Sequence, residues 1–526
     1  MKKGYDAIIV GGGMAGLTAA AYLCREGYRT LLCERSSKIG GLVNTFWQDG
    51  FAFDAGLRAV ENSGIVLPML KSLGIEVEFA QNPVMIGIGE EQVRLRSRDS
   101  LAEYAAMLKT VFPDSAADID AIITEIEKVM GYMDVLYGIE NPLFLDNLKD
   151  PEYLRNTLLP WFLKYQVNIR KAERLNEPIN TYLMRFTANR ALIDLIAQHF
   201  FKNTPAFFAL SYFGLYLDYS YPMGGTSVLA EQVADYIRLN GGEIRTESPV
   251  TAVDLAKHEV RLADQETLRY RKLIWAADQK ALYARASGQE SSKITKQRAL
   301  VEQGRGGDSV LTLYLASDLE KDYFAKHSTA HTFYTPAVAG LHTLPSWQQA
   351  AVDGTDALLE WLAQYLAYTT YEISIPVLRD SSLAPEGRSG LIISTLLDYE
   401  LVRFFTNAER YGEFKSFASA KMAEVLDRSL YPGLLDHIQF SLCSTPFTLA
   451  RESGNSDGAI TGWAFGSGAM PSESRFRKIA RSIRTPFDDV YQCGQWSFSP
   501  SGMPVSILTG KLAADAVKKD FKGKRS

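Results

Sequence analysis

Residues 5–34 constrain the fold more than any other stretch. Tyr5-Asp-Ala-Ile-Ile-Val10 is short, rich in β-branched residues and followed by glycine, and so reads as a buried parallel strand. Gly11, Gly13 and Gly16 then stand at G-x-G-x-x-G spacing around Gly12, Met14 and Ala15. Residues 17–26, rich in Ala and Leu, predict a helix closed by Gly27, and residues 28–33 predict a second strand. Glu34 sits at the end of that strand, 18 residues past Gly16. Strand, glycine turn, helix, strand and acid in this order predict a doubly wound α/β unit that holds a dinucleotide. Gly11 permits the tight turn, Gly13 lets the pyrophosphate approach the backbone, and Gly16 lets helix and strand pack closely. The helix N-terminus offers free N–H groups and a positive partial charge to the phosphates. Glu34 can accept hydrogen bonds from a ribose hydroxyl, and its charge repels a 2′-phosphate, so NADP is disfavoured here.

The remaining composition excludes several classes. Residues 7–24 carry no charge, yet three consecutive glycines argue against a signal peptide or a membrane span there. The four cysteines form no C-x-x-C and the six histidines no ligand pattern, so no metal site is expected and a reducing, cytoplasmic setting is. His199 reads as a satisfied, partly buried residue. A net charge of −5 gives no reason to bind nucleic acid. Residues 518–526 are basic and read as a solvated, frayed end, with contact to an anionic membrane as the second reading.

The segments beyond Glu34 choose the dinucleotide. Arg35 leads to the pair Gly40-Gly41, followed by Leu42; Phe51-Ala-Phe-Asp54-Ala-Gly56-Leu57 follows as a short strand and glycine turn. This pair of segments resembles the FAD-binding family that includes glutathione reductase, amine oxidases and phytoene desaturases. The resemblance implies that the first segment returns to the phosphates and that the second reaches the flavin ring. It continues through Pro222-Met-Gly-Gly, through Val250, whose backbone would hold the adenine, and through residues 273–278. It ends in the block from Gly494 to Gly502, Met503 and Pro504, where a final helix would point its N-terminus at the flavin.

The predicted fold is α/β: a Rossmann-type FAD-binding domain with an inserted antiparallel-sheet substrate domain and a helical subdomain. Residues 1–70, 220–300 and 480–526 would form the first, residues 75–100 and 300–480 the second, and residues 101–215 the third. In the helical part, Asp114 is expected to cap a helix carrying Ile119, Ile122, Ile126 and Met130 on one face. Residues 200–221 hold nine aromatics, and residues 158–165 form a second apolar patch. Both read either as core or as the wall of a greasy tunnel or membrane-facing surface.

Residues 379–387, 444–460 and 496–504 are similar to segments of the phytoene desaturase, carotenoid isomerase and retinol saturase group. That likeness implies an FAD-dependent oxidoreductase moving hydride between flavin and a long apolar isoprenoid or polyene, with an electron donor or acceptor of unknown identity. Arg58, two residues past Gly56, is the candidate catalytic polar group near the flavin; its alternative is a bridge to Glu61 or another acid. Leu42 stands where many relatives carry Arg, and Ser501 replaces a glycine. The competing readings are a redox-neutral cis–trans isomerase, an amine or protoporphyrinogen oxidase, and a prenyl-lipid escort protein.

Overall fold

Tyr5–Val10 lies in the middle of a parallel sheet, between Thr30–Cys33 on one side and Thr267–Trp275 on the other. The computed structural model describes residues 4–145, 150–466 and 469–523. Glu243–Arg245 extends the sheet beyond Thr30–Cys33, and Val490–Gln492 extends it beyond Thr267–Trp275. The register sets Val10 opposite both Cys33 and Trp275, and Trp275 opposite Gln492. The carboxyl ends of these strands are therefore level, which is where open α/β sheets place their ligands. Thr267–Trp275 has a second role. Its first residues pair antiparallel with Glu259–Leu262, which continues to Val250–Asp254, so one strand joins a meander to the parallel sheet.

Three helices cover one face. Met14–Arg25 packs between Met503–Gly523 and Ser227–Leu239, with Ala19, Ala20 and Ala21 fully buried. Small residues let the helices approach: a Cβ on Gly510 would lie 2.3 Å from the carbonyl oxygen of Ala15. The first helix begins at Met14 rather than at residue 17, and the second strand at Thr30 rather than at residue 28. The final helix runs from Met503 to Gly523, so residues 518–523 are helical and not frayed; Lys518 pairs with Glu26. Residues 524–526 lie outside the described residues.

A second sheet has seven strands in the order Ile438–Ser444, Ser309–Ser317, Ser389–Leu397, Tyr371–Ser374, His331–Thr335, Val84–Ile88, Glu91–Leu95. All neighbours are antiparallel except His331–Thr335 with Val84–Ile88, which is parallel and departs from the wholly antiparallel expectation. Its central strands are buried on both faces and read as continuous apolar runs. The ribbon of Thr45–Gln48 and Phe51–Asp54 leaves the first domain and sets Phe51 and Phe53 into this core.

Helices Ser100–Val111, Ala116–Tyr137, Leu159–Glu173 and Ala206–Tyr216 form the third part. Asp114 does not cap the second of these. It lies within a 3-10 turn, Pro113–Ser115, which leaves Ser115 at the cap position. Ile119, Ile122, Ile126 and Met130 do form its buried face. No helix among the described residues is long and apolar enough to cross a membrane.

Candidate flavin site

The glycine turn has the shape a pyrophosphate requires. Gly11 has φ +110°, and a Cβ there would lie 2.6 Å from the carbonyl oxygen of Ala276. A Cβ on Gly16 would lie 2.0 Å from the Gly11 carbonyl oxygen, so helix and turn could not close. Over Gly13 the space is open, with no atom within 4 Å of such a Cβ. Gly13 caps the helix without any side-chain bond, so the first-turn N–H groups face that open space. Both oxygens of Glu34 hold backbone: Gly12 N–H donates to Oε2 at 2.6 Å and Ser36 N–H to Oε1 at 2.8 Å. Two acceptor positions of the carboxylate remain for ribose hydroxyls.

Distant segments close on this turn. Gly40 N–H donates to Gly12 O at 2.8 Å, and a Cβ on Gly41 would sit 3.4 Å from Gly13 Cα. Leu57 N–H donates to Leu42 O at 2.8 Å, which brings the Gly56 turn alongside the double glycine. Ser248 N–H donates to Glu34 O at 2.8 Å and leads the chain into buried Val250. A Cβ on Gly494 would touch the Cβ of Ala15 at 3.2 Å, and Gly494 N–H donates to Thr509 of the final helix. Gly502 opens that helix, and Met503 and Pro504 are buried behind it. Arg35 stands apart from the others. It is exposed, and its guanidinium donates to the carbonyl of Arg451 at 2.6 Å.

Asp54 holds this assembly together, a role the sequence reading missed. It is fully buried and accepts from Thr45 at 2.7 Å, Tyr221 at 2.7 Å, and the N–H and hydroxyl of Thr226 at 3.1 and 2.9 Å. The acid of the F-D-x-G turn is thereby tied to the Pro222–Thr226 segment. Arg379 lies over the ring of Tyr221 at 3.9 Å, and Asp380 accepts from Gly224 N–H at 2.8 Å.

The chain can also be set against known proteins. Residues 14–316 match the family described as flavin containing amine oxidoreductase, more than half of the sequence. The chain belongs to that family. This flavoprotein is 23% identical to the chloroplastic prolycopene isomerase of Arabidopsis thaliana, over 98% of its own length and 83% of the relative's. It is 23% identical to the all-trans-retinol 13,14-reductase of Danio rerio, over 97% and 85% of the two chains. Putrescine oxidase bound to putrescine superposes with a TM-score of 0.59 at 13% identity, over 98% and 99% of the two chains. Cyclohexylamine oxidase from Brevibacterium oxydans gives 0.58 at 14%, over 99% and 100%. The fold is that of the flavin amine oxidases and the cofactor is FAD, which the open cradle at Gly13 and the spare acceptors of Glu34 fit.

Beside the flavoprotein's Gly56 turn lies a largely buried group of charges and rings. Arg58 is buried; the acid it meets is Glu372, at 2.9 Å, and not Glu61. Its other terminal nitrogen donates to Ser394 at 2.5 Å, while its Nε is buried without a partner. Burial would raise the Glu372 carboxyl, but Arg58 and then His331, 3.2 Å away, outweigh it and hold the group down at about 2. His331 is itself shifted down, because burial outweighs the pull of Glu372. Its ring lies 5.3 Å from Tyr219 and 5.2 Å from Phe333, and Tyr216 lies 5.0 Å from Phe333. Burial pushes His199 down to about 4, and its Nδ1 has no partner, contrary to the expectation of a satisfied side chain. Glu61 was expected only as a bridge for Arg58. Its Oε1 instead lies 3.7 Å from where a Cβ on Gly502 would stand, and burial, with a smaller push from Asp218, raises it to about 7. No metal-binding cluster occurs among the described residues.

Proposed function

We propose that this FAD-dependent enzyme moves hydrogen at a carbon of a long apolar isoprenoid or polyene. The observation that carries this reading is the ring-to-ring array of Tyr216, Tyr219, Phe333, His199 and His331, whose polar atoms are withdrawn from water beside the Gly56 turn. Such a wall suits a substrate with few polar handles. The end-to-end likeness to relatives named for prolycopene and all-trans-retinol supports the same class. FAD, when bound, supplies the hydride acceptor or donor.

The protein's own residues would bind and orient. Gly11, Gly13, Met14, Ala15 and Gly16 would take the pyrophosphate at an uncapped helix N-terminus, and Glu34 the ribose. Gly40, Gly41 and Leu42 would close the phosphate side, and Val250 the adenine side. Gly56, Leu57, Gly494, Gly502, Met503 and Pro504 would frame the ring, with the final helix placing positive potential there. Arg35 would contribute only by fixing the loop it starts. Residues 1–70, 220–300 and 480–526 would form the FAD-binding unit, residues 75–100 and 300–480 the sheet over the substrate, and residues 101–215 the helical cover. Arg58 would present its unpaired Nε edge toward the reacting region. Glu61 would hold or release a proton near neutral pH at the face of Gly502.

The test is anaerobic incubation of the FAD-loaded protein, oxidised or chemically reduced, with prolycopene and with all-trans-retinol, followed by chromatography. Loss or gain of two hydrogens supports the redox reading. Isomerised product with unchanged mass supports the second reading, which the prolycopene isomerase relatives favour. No product from either polyene, with rapid turnover of putrescine, overturns both.

A further inference from the structure

A cleft of about 1060 Å³ opens where the helical part, through Asn176, Pro178, Asn203 and Pro205, meets residues within 283–300 and 465–500. It is lined by parts of helix Ser292–Gln303, by residues within 470–486, and by Gln492, Ser499 and Pro500. None of the glycines of residues 11–16, nor Glu34, nor Val250, lines it. Its charge is opposite to that of the chain. The chain carries −5 overall, whereas the cleft holds Lys293, Lys296, Arg475, Arg481 and Arg484 against the single carboxylate of Glu473. Glu473 is taken by Arg475 at 3.0 Å, and Arg484 donates to Tyr491. Among the described residues, Lys293, Lys296 and Arg481 form no ion pair. Three cations held together without counter-charge concentrate positive potential in a concave site.

A second observation points inward. Ser482 and Ser499 line the cleft, are 3% and 0% exposed, and their hydroxyls have no hydrogen-bond partner. Buried hydroxyls are nearly always bonded, so two in the lining of one cleft mark a place for a polar ligand. Phe465, Met470 and Pro471 also line the cleft and give it apolar surface for a ring. The volume is at the upper end of small-molecule clefts, roughly 300–1,000 Å³. The exposed apolar side chains that would accompany a lipid headgroup lie elsewhere, on Leu159–Glu173, none of which lines the cleft.

We propose that this cleft binds a phosphate-bearing nucleotide. Lys293, Lys296 and Arg481 take its phosphates, and the hydroxyls of Ser482 and Ser499 bond its polar groups. The site is separate from the FAD cradle and does not depend on the nature of the apolar substrate.

The experiment uses the full chain already loaded with FAD, so that the glycine turn is filled. Equilibrium dialysis measures binding of NADPH and of ADP, with inorganic pyrophosphate as competitor and phosphatidylglycerol vesicles as the lipid arm. Saturable nucleotide binding, displaced by pyrophosphate and weakened at least tenfold in Lys296→Glu/Arg481→Glu, is expected. The milder Lys293→Ala/Lys296→Ala is expected to weaken it severalfold, and Lys326→Glu, a charge reversal at a residue outside the cleft, not at all. Retained flavin absorbance certifies that each variant is folded. No saturable binding of either nucleotide overturns the proposal. So does binding that is equal in the variants and the parent, or capture by vesicles without binding of soluble nucleotide.

Discussion

At the scale of single residues, the interior beside the Gly56 turn is governed by who neutralises whom. Arg58 is buried, whereas Glu372 keeps 36% of its side-chain surface accessible, so their pair lies between the surface and the buried limits. Arg58→Met is expected to lower stability by about 2 kcal/mol near neutrality, intermediate between those limits. Glu372 is held below its ordinary 4.5, so that contribution is present above 4.5 and lost as pH falls toward about 2. Urea unfolding of parent and variant should therefore converge in acid. The rate of flavin reduction in the same variant, if unchanged, removes Arg58 from the reaction. Glu61 has the opposite sign. Its carboxyl is raised from 4.5 to about 7, so the folded state holds the extra proton, and stability falls as pH rises through that interval. Glu61→Gln should abolish this decline, which amounts to no more than about 3 kcal/mol. Urea midpoints at pH 5 and pH 8 measure it; an identical decline in the variant would sink the assignment.

At the scale of elements, backbone-dominated features were legible in the sequence, and side-chain partnerships between distant segments were not. Tyr5–Val10, the turn at Gly11–Gly16 and the acid at Glu34 follow from local pattern, because each requirement is satisfied within a few residues. Residues 309–315 and 390–396 are likewise β-rich runs in the sequence, and they fall within the strands Ser309–Ser317 and Ser389–Leu397. The partners of Asp54 lie at Thr45, Tyr221 and Thr226, and Glu372 meets Arg58 across 314 residues of chain. No spacing rule reports such pairs. Asp114 misled because an acid before an amphipathic run suits a cap equally well when a 3-10 turn intervenes. Helix packing yields its own prediction. Gly510→Val would thrust a side chain against the Ala15 carbonyl and part the first and final helices. Overpacking of this kind costs about 1–3 kcal/mol. FAD affinity, followed by flavin absorbance, should fall at least tenfold although residue 510 is outside the cofactor set.

At the scale of the whole molecule, one surface differs from the rest. Leu159 and Leu163 are 54% and 61% exposed, with Phe162 and Val167 beside them on the same helix. A soluble surface seldom gathers such residues. Leu159→Ser/Phe162→Ser/Leu163→Ser should reduce sedimentation with phospholipid vesicles severalfold while leaving FAD content and the melting temperature within error; equal sedimentation would remove this face from any membrane role. A last consequence concerns synthesis. The strand Thr267–Trp275 sits between Tyr5–Val10 and Val490–Gln492, which is made about 480 residues later. Ribosomes add about 5–20 residues each second, so the first strand waits roughly half a minute to a minute and a half for its sheet to be finished. Until then the apolar runs of the N-terminal segment have no lasting cover, and flavin can be held only once Met503–Gly523 has been made. Chaperone dependence should therefore track translation speed, with slower ribosomes giving more aggregated apoprotein, unless free FAD is abundant when the final helix docks.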